Sequence, residues 1–177
     1  MINILKNLFY YFGSSGPIIL YILCLKFLWS KPNLFFYYNV GIFGNTILNY
    51  ILKGIIKEPR PSEDIRQFNI ALNNGTRLIF KNGIPHDIFG MPSGHSQSVF
   101  FSTIFLFLSI KNKKLLYFCL FICAITMAQR VAFEFHTLLQ VIFGAITGSG
   151  FGYFVFHLAG LKIRGHITEK LDDFAPI

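Results

Sequence analysis

The feature that most constrains this chain is the placement of its charges. They are sparse in long apolar blocks and gather in the stretches between them. Of the 177 residues, 53% are hydrophobic and 14% charged, against about 25% charged in an ordinary soluble domain. A helix crossing a bilayer needs about 20 largely apolar residues. The blocks predict five spans, at about 16–29, 34–56, 94–110, 115–130 and 138–157. The expected fold is all-α: a polytopic membrane helix bundle with about five spanning helices and its active site at one membrane face. Residues 2–12 look too short to span and read as interfacial, and the many Phe read as lipid-facing filler. Gly13-Ser14-Ser15-Gly16 makes no convincing signal-peptide cleavage site.

The net charge of +8 does not point to nucleic acid, because the basic residues separate apolar blocks instead of lining one face. Cys24, Cys119 and Cys123 lie inside apolar runs and read as small filler. The one long polar segment, 57–91, carries turn signals at Asn73-Asn74-Gly75 and Lys81-Asn82-Gly83, with 76–80 expected as a short strand. The tail 162–177 is polar and mixed in charge. Five crossings place the 57–91 segment, the turn after 130 and the N-terminus on one face. The opposite face holds Lys31, Lys111, Lys113, Lys114, Lys162, Arg164 and Lys170, so the positive-inside rule makes it cytoplasmic.

Three ionisable clusters fall on the non-cytoplasmic face. Charges within spans are costly and by default point to function. Lys53 lies in the last turns of the second span, and Arg60 follows within Glu58-Pro59-Arg60-Pro61, whose prolines end the helix. Next, Gly90-Met91-Pro92-Ser93-Gly94-His95-Ser96-Gln97 opens the third span, with Ser93 at the expected N-cap and His95 in the first turn. A helix start presents unpaired N–H groups to an anion. The octapeptide alone fits equally well a capped membrane helix with an interfacial histidine. Last, Arg130 ends the fourth span, with His136 in the following turn and Gln140 four residues on, within hydrogen-bonding reach. Arg130 and His136 converge only if the chain turns between them. Three cations and helix-start amides describe a phosphate site. No carboxylate cluster offers a magnesium site, and the cations would repel a metal held by the two histidines. His86-Asp87 reads as a loop cap, with substrate contact as the alternative, and Glu134 as the partner of a nearby arginine.

The run Lys53-x6-Arg60-Pro61, Pro92-Ser93-Gly94-His95 and Arg130-x5-His136-x3-Gln140 resembles the three-part signature of the type 2 phosphatidic acid phosphatase superfamily. The resemblance covers about 48–152, within a single membrane-embedded phosphatase domain spanning 1–177. Two positions depart from the general pattern. Gln129 stands where a serine usually precedes the arginine, and Gln140 where an aspartate usually follows the histidine. The flanking text, including Glu58-Pro59, Ser96-Gln97 and Gln140 itself, looks like the dolichyl diphosphatase branch.

The resemblance implies a metal-independent lipid phosphohydrolase without cofactor, acting on a polyprenyl (dolichyl) diphosphate. It also implies a location in the endoplasmic reticulum membrane with a lumenal active site. On that basis His136 is the nucleophile forming a phosphohistidine, and His95 is the general acid and base. Lys53, Arg60, Ser93, Gly94 and Arg130 hold the phosphoryl oxygens, and Gln140 orients His136. A neutral amide stabilises an imidazolium less than a carboxylate would, which implies slower chemistry or a site tuned to a good leaving group. The alternatives are a phosphatidic acid or other glycerolipid phosphatase and a non-catalytic phospholipid-binding membrane protein. The expected partners are the lipid substrate and membrane lipids.

Overall fold

The computed structural model describes residues 2–81 and 83–164. Five long helices form one bundle: α1 (Ile2–Leu28), α2 (Pro32–Ile56), α4 (Gly94–Ile110), α5 (Lys113–Ala132) and α6 (Leu138–Arg164). Between α2 and α4 lie a short helix, α3 (Ile65–Asn73), and an antiparallel hairpin, β1 (Leu78–Lys81) with β2 (Ile84–Asp87). Helices α1, α5 and α6 are long and apolar enough to cross a membrane, and α4 is a shorter apolar helix of 17 residues. The bundle is the polytopic helical fold expected from the charge pattern.

Helix α4 is the central post. Residues on all its faces are buried, including Val99, Phe101, Phe105 and Leu106. Its approach to α6 is set by a stripe of glycines one turn apart. A Cβ at Gly144 would lie 2.6 Å from the Ser93 carbonyl oxygen, one at Gly148 2.0 Å from that of Gln97, and one at Gly152 2.8 Å from that of Phe101. Small residues let helix backbones meet closely where no hydrophobic driving force separates lipid from side chain. On the other side of α4, Gln97 Nε2 donates to the Asn45 side-chain oxygen (3.0 Å) and carbonyl (2.9 Å), while Asn49 Nδ2 donates to Gln97 Oε1 (2.8 Å). These amides satisfy each other where water is excluded.

Several expectations are corrected. Residues 2–12 do not form a separate interfacial piece but continue into the first span as one helix through Pro17. Gly13 and Gly16 face α5, where added Cβ atoms would strike Gln129 (2.3 Å) and Thr126 (2.0 Å). Not every Phe is lipid-facing, since Phe101 and Phe105 are fully buried around Tyr38. The last helix runs on to Arg164, beyond the expected 157, and the rest of the polar tail lies outside the described residues. The strand expected at 76–80 appears as β1, paired with β2, and α3 is an addition to the sequence reading. Its N-cap is Asp64, whose carboxylate accepts from the N–H groups of Arg66 (2.8 Å) and Gln67 (3.0 Å). The cysteines are free and buried, as expected of filler.

Candidate active site

Helix α2 ends at Ile56, because Lys57 turns left-handed (φ 51°) and its N–H caps the Lys53 carbonyl. Pro59 then holds the chain extended against Phe89, and Gly90 N–H donates to the Glu58 carbonyl at 2.6 Å. Arg60 is thereby aimed back at the bundle. Its Nε donates to the Asp87 carbonyl (3.0 Å) and its Nη1 to the Phe135 carbonyl (3.4 Å). Lys53 does not share a helix face with Arg60. The two are gathered by Asp87, whose Oδ2 lies 3.2 Å from Lys53 Nζ.

Asp87 is the organising group that the sequence reading passed over as a loop cap. It also accepts from Arg77 through Nε (3.2 Å) and Nη2 (3.0 Å), and from the Phe89 N–H (3.1 Å). Arg77 in turn stacks on Tyr50 at 3.5 Å and donates to the Tyr50 carbonyl (2.9 Å). Burial pushes the Asp87 carboxyl up, but the hydrogen bonds from Arg77 and the charge of Lys53 outweigh it and hold the group below the usual carboxylate range. The hairpin's role is therefore to carry a permanent anion to the end of α2 and fix Lys53.

The chain turns sharply between Arg130 and His136. Glu134 adopts φ 55°, and the N–H groups of Phe135 and His136 both donate to the Arg130 carbonyl (3.0 and 3.2 Å). This is the turn the spacing required. Glu134 supplies its left-handed corner and is exposed. Among the described residues it makes no arginine ion pair, contrary to the expectation. His136 is 4% exposed. Its Nδ1 lies 3.1 Å from Gln140 Oε1, and its Nε2 lies 3.5 Å from Arg60 Nη1.

The Gln140 amide has only one sensible orientation. Its Nε2 donates to Glu58 Oε1 and the Pro59 carbonyl, both at 2.8 Å, while Oε1 accepts from the Thr137 N–H at 3.2 Å. The fixed acceptors on one side and the fixed donor on the other decide which end is oxygen. Nδ1 of His136 must therefore carry the proton, and in the neutral ring Nε2 is left with its lone pair facing Arg60. Burial, and then the Arg60 guanidinium, press the His136 pKa down to about 3 against the opposing pull of Gln140. Gly90 makes room for this amide, since a Cβ there would lie 2.7 Å from both of its polar atoms. The Gln140 carbonyl accepts from the Ser93 N–H (3.1 Å), which ties the second cluster to the third.

Ser93 occupies the N-cap of α4 in extended conformation, but its side chain makes no capping bond. Among the described residues its Oγ is buried without a protein partner, as is Nε of Arg130. Arg130 is 8% exposed, lies over the Phe135 ring at 4.8 Å, and donates from Nη2 to Ser14 Oγ at 3.1 Å. Buried polar atoms without partners are rare. Ser96 Oγ, Thr126 Oγ1 and Gln129 Oε1 are others among the described residues, but Ser93 and Arg130 come from two of the three clusters. His95 senses the charges of Arg130, Arg60 and Lys53. It lines a cavity of about 250 Å³ with Gly94, between α1, α2 and α4. Among the described residues, no three His, Cys, Asp or Glu side chains gather as a metal-ligand set.

The fold resembles a solved enzyme, the transmembrane PAP2 type phosphatidylglycerolphosphate phosphatase from Bacillus subtilis. The TM-score is 0.62 at 19% identity, with 92% of this chain and 79% of that chain covered. Residues 34–164 match the family model of the PAP2 superfamily, and the chain belongs to that superfamily. It is 32% identical over 127 residues to the dolichyldiphosphatase of Saccharomyces cerevisiae, covering 66% of this chain and 48% of that protein. It is also 30% identical over 120 residues to the chloroplastic lipid phosphate phosphatase epsilon 1 of Arabidopsis thaliana, covering 63% and 36%. The chain thus spans about half the length or less of these curated relatives.

Proposed function

We propose that this chain is a lipid phosphohydrolase acting on a polyprenyl diphosphate, dolichyl diphosphate being the reference substrate. The observation that carries the reading is the orientation of His136. Its Nδ1 is committed to Gln140 and its Nε2 faces Arg60, so a neutral imidazole presents its lone pair where a cation would hold a phosphoryl oxygen. Nε2 attacks the terminal phosphorus. His95 protonates the leaving oxygen as the bridging P–O bond breaks, then removes a proton from the water that cleaves the phosphohistidine. Lys53, Arg60 and Arg130, with the Ser93 hydroxyl and the Gly94 N–H, bind the three equatorial oxygens and their growing charge. Gln140 keeps the tautomer. The reaction needs no metal in this scheme. The similarity to the yeast dolichyldiphosphatase supports the diphosphate over a glycerolipid monoester, and an endoplasmic reticulum membrane with the site facing the lumen.

The test is phosphate release by the purified chain in detergent with excess chelator, from a polyprenyl diphosphate and from phosphatidic acid. The expected result is faster release from the diphosphate, an acid-labile phosphoprotein on quenching, and loss of both in His136→Ala. Release only from phosphatidic acid would assign the chain to the glycerolipid phosphatases. Tight lipid phosphate binding with no release would leave a binding protein.

A further inference from the structure

Helix α1 lies outside the stretch that matches the family, yet it contributes one side chain to the site. Ser14 Oγ accepts from Arg130 Nη2 (3.1 Å) and from Gln129 Nε2 (3.3 Å). Gln129 occupies the position where the resembling pattern carries a serine. A hydroxyl has two lone pairs and one proton. With both lone pairs engaged by donors, the proton is directed away from Arg130 and Gln129. Ser14 also lines the His95 cavity, together with Pro17, Ile18, Thr46, Asn49 and Ser98. Thr46 Oγ1 donates to the Ile42 carbonyl and Asn49 Nδ2 to the Pro92 carbonyl and Gln97 Oε1, which leaves the hydroxyl protons of Ser14 and Ser98 to turn to the cavity. The helix reaches this point because Gly13 and Gly16, on either side, let its backbone lie against α5.

The chemistry of the cavity follows from His95. If His95 serves the leaving oxygen, then whatever leaves is held beside it. Pro17 and Ile18 form the apolar part of the wall, and the Ser14 and Ser98 hydroxyls the part that can donate. Beside His95 those two hydroxyls can serve a second phosphate, whose oxygens need hydrogen-bond donors once the bond breaks. Ser14 is the wall residue that also grips a cation of the phosphoryl site.

We propose that Ser14 is a specificity-determining residue. It positions Arg130 and presents its hydroxyl proton to the departing phosphate, so that the site favours lipid diphosphates over lipid monophosphates. This rests on the phosphohydrolase reading above and adds the leaving-group preference and the residue that sets it. No proton is transferred from Ser14; it donates a hydrogen bond to the anion released when the anhydride bond breaks.

The experiment uses the full chain in detergent with farnesyl diphosphate and farnesyl monophosphate, which differ only in what leaves. A hydrogen bond to a charged group supports a change of about 10- to 100-fold. Ser14→Ala should lower kcat/KM for the diphosphate by that factor, mostly in kcat, with a loss under about 3-fold for the monophosphate. Ser14→Thr, which keeps the hydroxyl, should restore most of the ratio. Ser15→Ala, whose hydroxyl is turned to the Phe12 carbonyl, should change neither substrate. Equal losses on both substrates, or none on either, would overturn the proposal. If the unmodified chain released phosphate from neither substrate, the phosphohydrolase reading would be lost. Ser14 would then be judged by calorimetry, with pyrophosphate binding tighter than inorganic phosphate and losing that advantage in Ser14→Ala. An advantage that is absent, or unchanged by the substitution, would overturn it there too.

Discussion

The contact between Glu58 and Gln140 makes a sharp prediction, because exchanging the two side-chain types should hurt singly and heal together. In Gln140→Glu the introduced carboxylate would face Glu58 across what is now a 2.8 Å hydrogen bond. Two full charges at that distance repel by roughly 6 kcal/mol at an effective dielectric of about 20. The folded protein escapes by binding one proton between them. Holding that proton at pH 7 costs about 4 kcal/mol relative to a free glutamate, and about 1 kcal/mol at pH 5. The shared proton raises a carboxyl pKa in the folded state, so stability must fall as pH rises. Relative to the unmodified chain, thermal unfolding in detergent should drop by roughly 10 °C at neutral pH and by little at pH 5. Phosphate release should fall with it, as the pair splays and lets go of His136. Adding Glu58→Gln restores a donor and a carboxylate in reversed order. Stability should return to within about 1–3 kcal/mol, the cost of leaving the Pro59 carbonyl without its donor, and the rate should come within about tenfold of the original. A single variant that is stable and active at pH 7.5 would refute the argument, as would a double variant no better than the single one.

Three further outcomes follow from the same geometry. His136 is held neutral to about pH 3, whereas an unfolded histidine takes up a proton near 6.5. Stability should therefore decline by about 1.4 kcal/mol per unit as pH falls from 6.5, and less steeply in His136→Gln, as read from chemical unfolding at several pH values. Asp87→Asn removes the anion between Lys53 and Arg77. It should lower stability by about 2 kcal/mol, somewhat less than a fully buried pair, and should weaken inorganic phosphate inhibition as Lys53 loses its anchor. Gly148→Ala drives a methyl into the Gln97 carbonyl and should cost about 3 kcal/mol or prevent assembly. Gly150→Ala meets open space and should be silent in the same melting assay.

The parts of this molecule legible in the sequence are those in which one residue's chemistry forces its own position. Apolar blocks poor in charge mark the helices. Lys53, Arg60 and His136 stand out as ionisable groups at span boundaries, and the structure brings them together around Asp87 and Gln140. What escaped reading depends on pairs. Asp87 looks like any loop aspartate until the hairpin carries it to Lys53 and Arg77. Glu134 looks like an ion-pair partner, yet its contribution is a backbone angle. Glu58 and Gln140 lie 82 residues apart, and neither type alone signals that a carboxylate stands behind the amide. The departure at Gln140 then has a physical sense. An aspartate at this position would meet Glu58 and the Pro59 carbonyl with no proton to offer, while an amide donates to both and still turns an oxygen to His136. The negative charge has moved one hydrogen bond further from the imidazole. Attack by a weakly supported imidazole is affordable when the group expelled is itself a stable anion, so the amide at residue 140 and the Ser14 hydroxyl in the cavity beside His95 argue for the same kind of substrate from opposite sides of the phosphorus.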